Sequence, residues 1–182
     1  MIRILKHLFF VAGMAFIAVA FTNAYFVDQA AINNNSFTTS TGSASSIRLN
    51  EIYANPINDP PGSSNESNGE WVELYNNGDW AWDVNGWKLV DKENHTLVIN
   101  SSKTNGPTIV PAHGWLVVNR NGDPDFSLNN GDEIIYLYSD TMASIDNFHY
   151  TNTTETKSWS RRPDGTGGWV GNQIPTPGAT NG

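Results

Sequence analysis

The stretch from Ile47 onward restricts the fold of this chain more than any other feature. Short apolar runs there alternate with clusters of Gly, Pro, Asn and Asp, the pattern of short strands separated by turns. No run has helical spacing, and no segment repeats at a solenoid period. The spacing predicts strands at residues 47–53, 70–75, 87–90, 96–99, 108–110, 115–118, 133–138, 144–150 and 157–161. Eight or nine short strands in one segment of this length bury their apolar faces in two packed sheets. The expected fold class is all-β, a two-sheet sandwich.

Alternation within the strands assigns faces. Ile47 and Leu49 share one face of the first strand but Ile52 falls on the other, so a bulge or bend is expected between them. In the second strand Trp71, Glu73 and Tyr75 alternate with Val72 and Leu74. The charge of Glu73 assigns its face to water. Val72 and Leu74 then belong to the core, with Trp71 and Tyr75 partly covered. Trp87 and Leu89 are expected to point inward, and Leu116 and Val118 to be core partners. Residues 55–69 form a loop, because Pro56, Pro60 and Pro61 exclude a central strand. Residues 100–107 form another. Gly86 and Gly131 are expected at positive-φ turn positions. The run from Asp164 to Gly168 is a tight turn that brings Trp169 beside the strand carrying Trp159. Pro177 lacks a donor and ends the pairing.

The N-terminus has a different texture. Arg3 and Lys6 precede an unbroken apolar run of 14 residues from Leu8 to Phe21, followed by Thr22, Asn23 and Ala24. This is the arrangement of a secretory signal, and the run is short for a membrane span of about 20 residues. Residues 1–24 are read as a signal peptide; uncleaved, the same run is an N-terminal anchor. Residues 25–46 are rich in Asn, Ser and Thr and too poor in apolar surface to offset ordering entropy. They are expected to be a flexible spacer, leaving residues 47–182 as the domain. Ala24-Tyr25-Phe26-Val27-Asp28, followed by residues 35–41, resembles the start of camelysin-like and biofilm-matrix proteins. That resemblance implies bacterial-type export to the cell surface or extracellular space, and only the address is carried over.

Composition removes several functions. The 182 residues carry a net charge of −8, and loss of the leader with Arg3 and Lys6 leaves eight basic against 18 acidic residues. Generic DNA binding needs clustered Lys and Arg and is not expected. The absence of Cys removes disulfides, thiol nucleophiles and thiolate metal sites. Four scattered His make no zinc pattern. No Gly-x-Ser-x-Gly, His-Glu-x-x-His or P-loop element is present. His95, His113 and His149 are expected to be ordinary surface or turn residues.

The remaining candidates are few. Trp80 and Trp82 form the best candidate aromatic patch, either a platform for sugars, bases or headgroups or a core filler beside a rim residue. Tyr136 and Tyr138 lie opposite Ile135 and Leu137 and extend or merely cover such a surface. Glu73 and Arg161 are expected to form a structural ion pair between an early and a late strand, with ligand anchoring as the alternative. Asp79, Asp83, Asp123, Asp125 and Asp164 sit in turn-like sequence, but no complete calcium loop appears. No cofactor is expected, with Ca²⁺ the weak alternative.

The order of motifs resembles the lamin tail domain, an immunoglobulin-like sandwich. The matching pieces are Ile47-Arg48-Leu49-Asn50-Glu51-Ile52-Tyr53 with Asn55-Pro56, and Glu70-Trp71-Val72-Glu73-Leu74-Tyr75-Asn76. Next come Asp83-Val84-Asn85-Gly86-Trp87-Lys88-Leu89-Val90-Asp91, then Leu128-Asn129-Asn130-Gly131-Asp132 and Asp146. The last are Ser158-Trp159-Ser160-Arg161, Pro163-Asp164-Gly165-Thr166-Gly167-Gly168-Trp169 and Thr176-Pro177-Gly178-Ala179-Thr180-Asn181. The likeness is to the prokaryotic secreted branch. No heptad coiled coil precedes the domain, so a lamin-type filament role is not expected. Members of the family often accompany secreted hydrolases, but this chain is expected to hold the sandwich alone. The favoured reading is a non-catalytic exported module for adhesion or scaffolding at the cell surface or in extracellular matrix. Its partner is then a matrix or surface polymer. A binding module for polysaccharide or extracellular nucleic acid is the alternative, and an accessory or hydrolytic enzyme the third reading. Contact with the membrane is expected only through an uncleaved signal.

Overall fold

The computed structural model describes residues 44–57 and 69–182. The expected signal peptide, the expected spacer up to residue 43, and Pro60 and Pro61 of the expected loop lie outside the described residues. A 3-10 turn at Ala44–Ser46 leads into β1 (Ile47–Tyr53), β2 (Trp71–Asn76), β3 (Trp82–Asp83), β4 (Lys88–Val90) and β5 (Thr96–Val98). A one-turn helix, α1 (Ser101–Thr104), then precedes β6 (Ile109–Val110), β7 (Trp115–Asn119) and β8 (Glu133–Tyr138). The chain closes with β9 (Ser144–Tyr150), β10 (Ser158–Arg162) and β11 (Gly168–Gln173).

One sheet has the order β11-β10-β1-β2-β7 and the other β5-β4-β8-β9, with β3 and β6 paired alongside. All pairings are antiparallel. The result is the expected immunoglobulin-like sandwich. Leu49, Ile52, Val72, Leu74 and Val118 from the first sheet meet Leu89, Leu97, Ile135 and Leu137 from the second in one core. Trp87, Phe126 and Leu128 belong to the same core. Burying each such side chain contributes about 1.5–3 kcal/mol.

The bulge is where the phase slip of the first strand puts it. Pairing with β2 runs Leu49 to Leu74, then Glu51 to Glu73, leaving Asn50 as the extra residue. Ile52 thereby regains the inner face, opposite Val72. Trp87 and Leu89 point inward as expected and are buried. The loop at 100–107 holds the α1 turn, because the Asn100 side chain accepts from Ser102 N and Asn105 closes the turn at φ 55°. A single turn has no periodicity to detect.

Two expectations are corrected. Glu73 does not face water: its side chain is fully buried, because the C-terminal segment lies over that face of the sheet. Alternation separates the two faces of a strand, but it cannot say what covers the second one. Gly86 has φ 79°, as a turn requires, but Gly131 is not among the positive-φ residues. The Gly131 turn is held instead by Glu133, whose carboxylate accepts from Asn129 N at 3.2 Å and Asn129 Nδ2 at 2.6 Å.

Candidate functional site

The outer face of the five-stranded sheet carries the densest polar cluster. Glu51 and Glu73 are directly opposed across the β1–β2 ladder. The bulge aims Asn50 between two acids: its Nδ2 donates to Glu73 Oε1 and to Asp164 Oδ1, each at 2.9 Å. Its Oδ1 accepts from Gly165 N at 2.9 Å. Gly165 sits at φ 64°, and a side chain there would collide with Tyr75 and Asn77. Only glycine lets the Asp164 turn close onto Asn50.

The segment after β11 crosses this cluster as a strap. Thr176 N and Oγ1 donate to Glu51 Oε2, both at 3.1 Å. Gly178 N donates to Glu73 Oε2 at 2.6 Å. Thr180 Oγ1 and Asn181 N donate to the two oxygens of Asp164 at 2.7 and 3.2 Å. Asn181 Nδ2 reaches Asn50 O at 3.3 Å and Arg161 O at 3.1 Å. Ser158 Oγ donates to Glu51 from β10. Burial raises the Glu51 pKa, against the pull of Ser158 and Thr176. Burial likewise pushes Glu73 up to about 8, with the charges of Glu51 and Asp164 adding to the rise.

Arg161 belongs to a neighbouring cluster, and the expected Glu73–Arg161 pair does not form. Its guanidinium donates to Asp146 Oδ2 at 3.1 Å, to Leu49 O at 2.9 Å and to Gly167 O at 3.1 Å. It also lies 4.9 Å from the Trp169 ring centroid. Trp169 stacks on Phe148 of β9 at 3.8 Å, and Phe148 and Tyr150 both meet Trp159. This stack ties the edge of one sheet to the end of the other, and it puts Trp169 beside the Trp159 strand as expected.

The other acidic motif residues hold turns. Asp91 is buried and accepts from His95 N at 2.8 Å and Ser127 N at 3.3 Å. Glu70 pairs with Arg120 at 3.1 Å, both buried. Glu133 accepts from Lys92 N and Ile134 N as well as Asn129, and burial raises its pKa. Asp132 bonds Lys92 and then His149, which hold its carboxyl below the usual range. Asp79 bonds His113, Asp83 bonds Thr108, and Asp123 pairs with Lys103. His95, His113 and His149 each face an Asp. Among the described residues no serine hydroxyl completes such a pair, and no three His, Asp or Glu side chains gather as a metal-binding group.

The aromatic candidates separate. Trp80 is 55% exposed, whereas Trp82 is half-buried and packs against the core. The Trp82 indole N–H is buried with no hydrogen-bond partner, a packing position rather than a polar contact. Tyr136 and Tyr138 stack on each other at 6.1 Å between centroids. Among the described residues no ring contact joins them to Trp80 or Trp82.

Sequence reasoning missed Asn50, Asn76 and Asn181, all buried. Asn76 Nδ2 donates to Trp80 O at 2.7 Å and Val110 O at 3.2 Å, fixing the chain at Trp80. The available signal was position: Asn50 stands at the phase slip, Asn76 closes the motif at 70–76, and Asn181 closes the one at 176–181. The family model of the lamin tail domain matches residues 40–152. No curated protein and no solved structure matches the chain.

Proposed function

This chain belongs to the lamin tail domain family, and from that premise we propose that it is an exported, non-catalytic module for adhesion or scaffolding at the cell surface or in extracellular matrix. The observation that carries the non-catalytic part of this reading is the internal use of five of its motif acids. Glu51, Glu70, Glu73, Asp91 and Glu133 are buried and bonded to protein donors. A general acid or base must reach a substrate proton, and these side chains are turned inward.

Contact with a polymer then falls to the rim. Trp80 offers the largest exposed ring, held by the Asn76 bond to its carbonyl. Its ring face suits a sugar, and the acidic balance of the chain favours a polysaccharide over a nucleic acid. Polysaccharide binding through Trp80 is therefore the second reading. Trp80→Ala is expected to reduce retention on immobilised matrix polysaccharide while leaving the unfolding midpoint unchanged. Trp82→Ala is expected to lower that midpoint. Unchanged retention of Trp80→Ala removes Trp80 as the contact, and turnover of esters or nucleic acid by the pure protein overturns the non-catalytic reading.

A further inference from the structure

We propose that the strap, residues 174–181, is a pH-sensitive latch over the outer face of the five-stranded sheet, closed while the acidic cluster beneath it retains a proton and loosened as pH rises. Its attachment is polar. Pro177, Gly178, Ala179 and Thr180 are exposed, and Ile174 is 71% exposed. The strap is held by hydrogen bonds to Glu51, Glu73 and Asp164. A segment with little apolar burial opens locally before the rest of a domain unfolds.

Among the described residues, the groups around Glu73 offer no positive charge. From β1 it faces Glu51 and Asn50, from the β10–β11 turn Asp164, and from β7 Val117 across the ladder. On β2 its nearest titratable neighbour on the same face is Tyr75, whose pKa rises through burial and the charge of Asp164. β10 adds Ser158 and Ser160, both opposite or bonded to Glu51. The strap adds Thr176, Thr180 and Asn181, all neutral. Arg161 is turned to Asp146 and Arg162 is exposed. Among the described residues no Lys or Arg pairs with Glu51, Glu73 or Asp164.

Like charges directly opposed across a ladder repel. Three carboxylates under one strap are therefore tolerated best when one stays protonated. The rise of Glu73 to about 8 agrees with this geometry. Opening the strap returns the cluster to water, where its protons are held less tightly. The open form thus binds fewer protons, and rising pH favours it.

Hydrogen exchange on the full chain tests this, with each rate corrected for intrinsic exchange at its pH. The opening constant at Thr176 and Gly178 is expected to rise by up to about tenfold per pH unit between pH 6 and 8, the limit for loss of one proton. Amides of Val118 and Leu137 are expected not to follow. Glu73→Gln flattens the slope, and Glu51→Gln serves the same purpose if Glu73→Gln does not fold by near-UV circular dichroism. Strap protection that is constant across this range, that falls in parallel with Val118, or that keeps its slope in the folded variant overturns the proposal.

Discussion

Asn50 shows how much one side chain can hold. The bulge gives it no ladder partner, and its amide then bridges Glu73, Asp164 and Gly165. Hydrogen bonds to charged groups contribute about 1.5–3 kcal/mol each, and removing a donor leaves buried acceptors unsatisfied. Asn50→Ala is expected to cost on the order of 3 kcal/mol, read from the urea midpoint. Asn50→Asp replaces the donor with a further acid in a cluster that, among the described residues, has no cation. It should be more damaging at pH 8 than at pH 5; equal loss at both values would show that charge is not what Asn50 manages. The phase slip in the sequence locates the bulge, but not this role. Asn is common throughout the chain, and composition assigns such residues to turns.

At the scale of elements, the β10–β11 hairpin joins both sheets. Arg161 spans Leu49 O, Gly167 O and Asp146, and Trp169 meets both its guanidinium and Phe148. Trp169→Ala is expected to cost about 3 kcal/mol, the cost of truncating a packed aromatic. Arg161→Ala should cost about 2–3 kcal/mol, because Asp146 is left without its cation. The double variant should lose less than the sum by about 1 kcal/mol, the cation–π share, measured by equilibrium unfolding of all four proteins. Strict additivity would mean that the two side chains act separately. Strand positions were readable because turn residues bracket the apolar runs, and Trp87, Leu89, Val72 and Leu74 alternate cleanly. β3 was not readable, since two residues carry no period, and β11 was read only as the return of Trp169 beside the Trp159 strand, because its glycines and polar residues interrupt the apolar run. The partner of Arg161 was not readable either. Glu73 and Asp146 are both acids on strands, and only the fold of β9 onto β1 decides between them.

For the whole molecule, the absence of Cys leaves the sheets to be held by packing and by buried polar bonds. The aromatic share is visible in Trp87 within the core and in Trp159 and Trp169 at the sheet junction. The polar share is the less expected one, because an acidic chain reads as having an acidic surface. Here several of the acids are inside, and burial raises Glu51, Glu73 and Glu133 above their ordinary range. A carboxyl whose pKa is higher in the folded chain binds a proton that the unfolded chain has already released. Its contribution to stability is full below the ordinary carboxylate range, and it is lost as pH rises through the folded value, about 8 for Glu73. The central claim is that these acids are structural rather than chemical. The measurement closest to that claim is equilibrium urea unfolding of the domain and of its Glu73→Gln variant from pH 5 to pH 9. The account predicts stability that falls as pH rises, with the slope reduced in Glu73→Gln. Stability that rises with pH over this range, or a variant with the full slope, would contradict it.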